Sequence, residues 1–218
     1  MKAELLRSKI CLYGITMQET NPEQLLEKVR AAAAGGMTML QIRQKQMPAE
    51  KLVALAAPVL EFCRQNGILC LINDQVEAAR MLSADGVHVG QNDMCIPQAR
   101  AILGPDAIIG TSAHSVEEAV QAQKDGADYI GCGAVFPTGT KTDATPLSME
   151  TLCSIRKAVT IPMVAIGGIT AENAALLKGS GIDGIAVVSA IFGQENPEQV
   201  ARTMKNLAQQ IVQEGASL

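Results

Sequence analysis

The chain alternates between two kinds of segment. Eight short apolar, β-branched runs recur, and each is followed by a longer stretch in which apolar residues keep helical spacing. The runs lie at 10–16, 37–43, 68–73, 86–89, 107–112, 129–135, 163–166 and 184–188. The helical stretches begin near Pro22, Pro48, Gln75, Ile96, Ser115, Ser148, Ala171 and Pro197. Regular alternation of strand and helix is the signature of a parallel α/β fold. Eight units in 218 residues fit a single (β/α)8 TIM barrel over 1–218, closed around a parallel eight-stranded core. An open doubly wound sheet is the alternative. No GxGxxG follows the first run, which weakens the dinucleotide-binding form of that alternative.

Local signals agree with this division. Pro22, Pro48 and Pro197 sit where a first helical residue is expected, a position at which a missing N–H costs nothing. Ser115 and Glu118 have the spacing of a capping box. Pro58 falls inside the second helical stretch and predicts either a kink or a misplaced boundary.

Composition narrows the function. There is no Trp, so the core must be aliphatic. The net charge is −4 and no basic stripe occurs, so nucleic acid is not an expected partner. Cations that do cluster should serve a small anionic ligand. The six cysteines form no CxxC pair and mostly lie within apolar runs such as Ile68-Leu69-Cys70-Leu71. They read as buried, reduced thiols. No window has the length of a membrane span, and the first ten residues lack an apolar leader core. The expectation is a cytoplasmic protein with no membrane partner. A homo-oligomer is compatible with this composition, which does not fix the oligomeric state.

In a barrel of this class, function sits at the C-terminal ends of the strands. The second run ends Leu40-Gln41-Ile42-Arg43-Gln44-Lys45. Side chains alternate along a strand, so Gln41, Arg43 and Lys45 share a face, opposite the apolar face that must meet the helices. Two cations and an amide at the barrel mouth suit a multiply charged anion. The third and fourth runs lead into Asn73-Asp74 and Gln91-Asn92-Asp93. Alone, each carboxylate reads as a helix N-cap. Together, beside Arg43 and Lys45, Asp74 and Asp93 suit a hard divalent cation, Mg2+, shared with substrate phosphate oxygens. The loop after the sixth run carries Thr138, Thr140 and Lys141 around Gly139. Hydroxyls and a cation on such a loop fit phosphate contact. Gly167-Gly168 and Val188-Ser189 follow the seventh and eighth runs, where this barrel class commonly binds phosphate through the backbone. His88, between Val87 and Val89, reads as a satisfied core or rim histidine. Ser112 belongs at the fifth strand's mouth. No Ser-His-Asp or Cys-His logic is present. The expectation is two anion pockets facing each other, one cationic with a metal and one built from backbone.

These segments resemble a known family. Gln41-Ile42-Arg43-Gln44-Lys45, Ile72-Asn73-Asp74, the stretch 86–93, the stretch 110–115, the loop 137–144, Ala165-Ile166-Gly167-Gly168-Ile169 and Val187-Val188-Ser189-Ala190-Ile191 look like the successive motifs of the thiamine-phosphate synthases, in order and over nearly the whole chain. The resemblance implies a transferase that joins hydroxymethylpyrimidine diphosphate to hydroxyethylthiazole phosphate, with release of pyrophosphate. It implies that Gln41, Arg43, Lys45, Asn73, Ser112 and Lys141 hold the pyrimidine diphosphate. Arg43, Lys45, Ser112 and Lys141 would be its catalytic residues. Asp74 and Asp93 would hold Mg2+. Thr138, Thr140, Gly168, Val188 and Ser189 would hold the thiazole phosphate. It also implies a dissociative reaction, in which the bond to pyrophosphate breaks before the thiazole nitrogen attacks. The family usually has Glu at the position of Gln44, whose side chain should point away from the polar trio. The alternatives are a thiazole tautomerase of the same barrel family, a non-catalytic thiazole-phosphate sensor, and a lyase using Lys141 as a Schiff base. The tautomerase branch generally lacks the residues for the pyrimidine diphosphate and metal that this chain retains.

Overall fold

The computed structural model describes residues 2–139 and 146–215. Its eight strands are β1 (Leu12–Ile15), β2 (Met39–Ile42), β3 (Leu69–Asn73), β4 (Gly86–Val89), β5 (Ile108–Ala113), β6 (Tyr129–Cys132), β7 (Met163–Ile166) and β8 (Gly184–Val187). Every neighbouring pair is parallel, and the sheet closes where Leu12 of β1 registers with Ile185 of β8. The helices are α1 (Lys2–Lys9), α2 (Pro22–Ala34), α3 (Ala49–Gln65), α4 (Val76–Leu82), α5 (Ile96–Leu103), α6 (Val116–Lys124), α7 (Met149–Ala158), α8 (Ser189–Phe192) and α9 (Pro197–Gly215), with a 3-10 turn over Ala174–Leu177. The fold is a (β/α)8 barrel, and closure excludes the doubly wound alternative.

Closure splits the apolar residues into two cores. Outward residues of the strands, such as Leu40, Ile42, Cys70 and Ile72, pack against the helices. Inward residues fill the barrel: Tyr13, Ile15, Met39, Leu71, Ile108, Tyr129, Val164 and Ala186. Two of these are bulky phenols. They fit because Gly110 leaves space: a Cβ there would lie 2.1 Å from the ring of Tyr129.

Several expectations need correction. The strands are shorter than the apolar runs. Ile10 lies in the turn that closes α1, its N–H donating to Leu6 O. Residues 133–135 leave β6 and cross over β7, with Val135 N–H donating to Ile166 O at 3.0 Å. Pro58 marks no boundary, since α3 runs through it. It lies on the exposed face with Ala54, whose carbonyl loses its helical partner to the proline but can meet water there. Ser115 caps α6 by accepting the Glu118 N–H. The other half of the expected capping box is absent, because the Glu118 carboxylate accepts from the N–H and Nδ1 of His114. The helix expected near Ala171 is only the turn Ala174–Leu177, since Asn173 ties the preceding loop to Gly168 O and Lys178 turns extended.

The N-terminal end of the barrel is built for stability. Asp85, Asp128 and Asp183 each stand immediately before an even-numbered strand. Each places a carboxylate oxygen on a backbone N–H of the preceding odd strand: Cys70 at 2.7 Å, Ile109 at 2.8 Å and Met163 at 2.8 Å. The same three residues donate their own N–H back to the carbonyls of Cys70, Ile109 and Met163. Cations from outside the sheet pair with two of them, Lys2 and Arg100 with Asp128 and Arg7 and Arg156 with Asp183. Helix α1, which the sequence pattern does not reveal, supplies Lys2 and Arg7 and pushes Leu6 into the barrel floor, where it is 1 % exposed. Leu6→Ala should therefore cost about 3 kcal/mol through lost burial and a residual cavity. Urea unfolding at neutral pH checks this, and a loss below about 1 kcal/mol would show that the floor is not sealed by Leu6.

Candidate active site

The opposite end of the barrel opens into a cavity of about 540 Å3, a size suited to small-molecule ligands. Alternation along each strand decides what faces it. Gln41 of β2, Asn73 of β3, His88 of β4 and Ser112 of β5 all line it, as do Arg43, Lys45, Asp74 and Asp93 just beyond the strand ends. Thr138, Gly168, Val188 and Ser189 line the side formed by β6 to β8. Eleven of the thirteen expected site residues, Asp74 and Asp93 among them, thus share one cavity. Thr140 and Lys141 lie outside the described residues.

The β2 end is held firmly. Arg43 N–H donates to Thr16 Oγ1 at 2.9 Å. Gln44 is buried and turned from the cavity: its Oε1 accepts from Glu19 N at 3.0 Å and its Nε2 donates to Met17 O at 3.2 Å. Glu19 in turn pairs with Lys28 of α2. Gln44 therefore orients the loop between β1 and α2, as its place in the strand alternation predicts.

Asp74 and Asp93 are not helix caps, because the residues at those positions are Gln75 and Cys95. They face each other at the ends of the adjacent strands β3 and β4. Burial, followed by the hydrogen bond and the charge of Asp93, raises the Asp74 carboxyl to about 6, and Asn73 and Lys45 oppose the rise. Asp93 is oriented by Gly90 N–H, which donates to its Oδ2 at 2.7 Å. Two carboxylates that close together repel unless a proton or a cation lies between them. No group of three or more His, Cys, Asp or Glu suited to a metal occurs among the described residues. A pair is nevertheless enough for Mg2+, which keeps several waters and takes substrate oxygens. The donor set fits that ion.

The β6–β8 side is shaped by backbone. The loop after β6 rides on the turn after β7, with Phe136 N–H donating to Gly167 O at 3.1 Å. Gly168 has φ 61, and a Cβ there would lie 2.2 Å from Pro137 O. A side chain at this position is excluded by both conformation and space. Val188 and Ser189 introduce the short α8, and loops after strands 7 and 8 that lead into a short extra helix form a recurrent phosphate site in this barrel class.

Sequence reading missed three groups here. Tyr13 and His114 with Glu118 also line the cavity, and Tyr129 lies beneath it, fully buried. His88 is satisfied, as expected, yet it is also part of the cavity wall, bonded to Tyr129 and Ser112. The Tyr129 contacts to Tyr13 and His88 join strands that are not neighbours in the sheet, so no local pattern carries them.

Such a cavity, with cations facing a carboxylate pair on one side and backbone donors on the other, belongs to a (β/α)8-barrel enzyme of phosphorylated small molecules. A family model described as thiamine monophosphate synthase matches residues 12–191. The chain is 45 % identical to the thiamine-phosphate synthase of Moorella thermoacetica, over 84 % of this chain and 87 % of that one. It is 46 % identical to that of Ruminiclostridium cellulolyticum, over 91 % and 96 %. The solved thiamine phosphate pyrophosphorylase of Pyrococcus furiosus superposes with a TM-score of 0.87 at 40 % identity, covering 95 % of this chain and 99 % of that one. The chain belongs to the thiamine monophosphate synthase family and is a transferase of thiamine biosynthesis.

The raised Asp74 carboxyl gives a test in metal-free protein. Its folded pKa of about 6 exceeds the unfolded value of about 3.9. The folded state is thus favoured below about pH 4 and loses that advantage as pH rises through 6. Asp74→Asn removes the charge and tolerates the left-handed backbone there, φ 59. At pH 7.5 without Mg2+ the variant should be about 1 kcal/mol more stable, less than the full shift because the carboxyl is partly open to solvent. The gain should vanish near pH 3.5. Thermal melts at the two pH values decide it, and equal differences at both would remove the carboxylate repulsion.

Proposed function

We propose that this chain condenses hydroxymethylpyrimidine diphosphate with hydroxyethylthiazole phosphate to give thiamine phosphate and pyrophosphate. The observation that carries the reading is the sharing of one cavity by the Arg43, Lys45, Asp74 and Asp93 group and the Gly168, Val188 and Ser189 backbone group. The first suits a diphosphate and the second a monophosphate.

In this reading Gln41, Asn73 and Ser112 bind and orient the pyrimidine diphosphate, with Arg43 and Lys45 on its phosphates. The C–O bond to pyrophosphate breaks, and the leaving group takes the electron pair. Negative charge grows on the departing oxygen, and Arg43 and Lys45, which line the same cavity, would stabilise it. Asp74 and Asp93 would hold Mg2+, which when bound supplies further neutralisation of that charge. Lys141 adds a third cation in this assignment, and Thr140 joins Thr138 in holding the thiazole phosphate with Gly168, Val188 and Ser189. The thiazole nitrogen then gives its lone pair to the methylene carbon. No proton leaves in forming that bond, so no general base is required. Apolar walls from Ile15, Val164, Ile166 and Ala186 would limit capture of the cation by water. The reaction is assigned to the cytoplasm, in keeping with six free cysteines. Among the described residues no helix is long and apolar enough to cross a membrane.

A pyrophosphate-release assay with both substrates tests the proposal. Release should require both the thiazole phosphate and Mg2+. Asp93→Ala should lower it at least about a hundredfold while the far-UV spectrum is unchanged; full activity in that variant would remove Asp93 from the metal site. Arg43→Ala should weaken the pyrimidine diphosphate about tenfold or more and leave the thiazole phosphate within about twofold. Isothermal titration with each substrate measures this, and equal losses would contradict separate pockets. Metal-independent turnover of a thiazole phosphate alone would instead indicate a tautomerase.

A further inference from the structure

Below the cavity a chain of hydrogen bonds crosses the barrel interior. Gln41 Nε2 donates to Tyr13 OH at 2.6 Å. The hydroxyls of Tyr13 and Tyr129 are 2.8 Å apart. Tyr129 OH lies 2.8 Å from His88 Nδ1, and His88 Nε2 lies 3.2 Å from Ser112 Oγ. The five side chains come from β2, β1, β6, β4 and β5 in that order. Both phenols are essentially without solvent contact, at 1 % and 0 % exposure. Their rings meet edge to face, and the His88 ring is tilted over Tyr129. Burial drives both phenol pKa values upward, so both keep their hydrogens at neutral pH.

A buried hydroxyl has one hydrogen to give. Tyr13 receives from Gln41, so its hydrogen goes to Tyr129. Tyr129 then has only its own hydrogen left, and the acceptor within reach is His88 Nδ1. A histidine that accepts at Nδ1 carries its proton on Nε2 when neutral. That proton points to Ser112 Oγ. Ser112 is thereby an acceptor toward the histidine, and its own hydrogen is left to turn into the cavity it lines.

We propose that Tyr13 and Tyr129 are positioning residues that lock His88 as the Nε2–H tautomer and so make Ser112 a directed donor to the bound substrate. The ordering is set before substrate arrives, which is what preorganised donors require. A reversed chain is also chemically complete, but it needs Gln41 turned end for end and gives the opposite tautomer, Nδ1–H. The lock itself is independent of the reading under Proposed function; only the substrate that Ser112 serves rests on it.

The test is long-range 1H–15N correlation NMR on the full-length, 15N-labelled protein without ligands. The chain has two histidines, and the His114→Gln variant assigns the signals. At about pH 8, above the ordinary imidazole pKa of about 6.5, His88 should show protonated Nε2 and bare Nδ1. Protonated Nδ1 in the parent protein overturns the proposal, whatever any variant does. In Tyr129→Phe the donor to Nδ1 is gone, and both tautomers should appear. kcat/KM for the pyrimidine diphosphate should fall about tenfold, the equivalent of one directed hydrogen bond, while KM for the thiazole phosphate stays within about twofold. A single unchanged tautomer in Tyr129→Phe also overturns the lock. The expected tautomers with equal losses for both substrates would uphold the lock and refute the assignment of Ser112 to the diphosphate.

Discussion

Closure of the sheet is the constraint from which the rest follows. Once β1 registers with β8, every strand has two neighbours and no edge, and each residue must face either the helices or the interior. The interior is narrow, so volume must be rationed across strands. Tyr13 and Tyr129 reach toward each other only because Gly110 withholds a side chain at that level. The same alternation lifts Gln41, Asn73, His88 and Ser112 onto the inner face, above the apolar residues Met39, Leu71 and Ile108.

The two ends of the barrel then divide the labour. At one end carboxylates are consumed by structure: Asp85, Asp128 and Asp183 each saturate a strand N–H. At the other, Asp74 and Asp93 are left facing each other, and the strain appears as the raised Asp74 carboxyl. The same residue type is thus stabilising or poised for ligand according to whether backbone donors or another carboxylate lie opposite it. This matches the general separation in such barrels between a face that serves stability and a face that serves chemistry.

The eight strands and most helices were legible because their apolar runs are strong and their starts carry Pro or Ser signals. Strand ends were not, because polar residues past the last ladder bond, such as Arg43, keep the same alternation as those within it. Helix α1 was invisible because eight residues with one buried leucine make no periodic pattern. Local sequence placed Gln41, Arg43, Lys45, Asp74 and Asp93 around one mouth because each lies near or past the C-terminal end of a strand. It could not pair Tyr13 with Tyr129, 116 positions apart, because that contact exists only across a closed barrel. The alternation of β2 also pointed Gln44 outward, but its two loop partners are a matter of tertiary structure.

Those partners give Gln44 a thermodynamic role. Through Met17 O and Glu19 N it fastens the loop after β1 to the end of β2, and Glu19 extends the tie to Lys28 on α2. Arg43 stands next to this anchor, its own N–H bonded to Thr16. Much of the conformational entropy that a free cationic loop would surrender to an anionic ligand is surrendered when the chain folds. Association then costs less ordering, and more of each ionic contact is expressed as affinity.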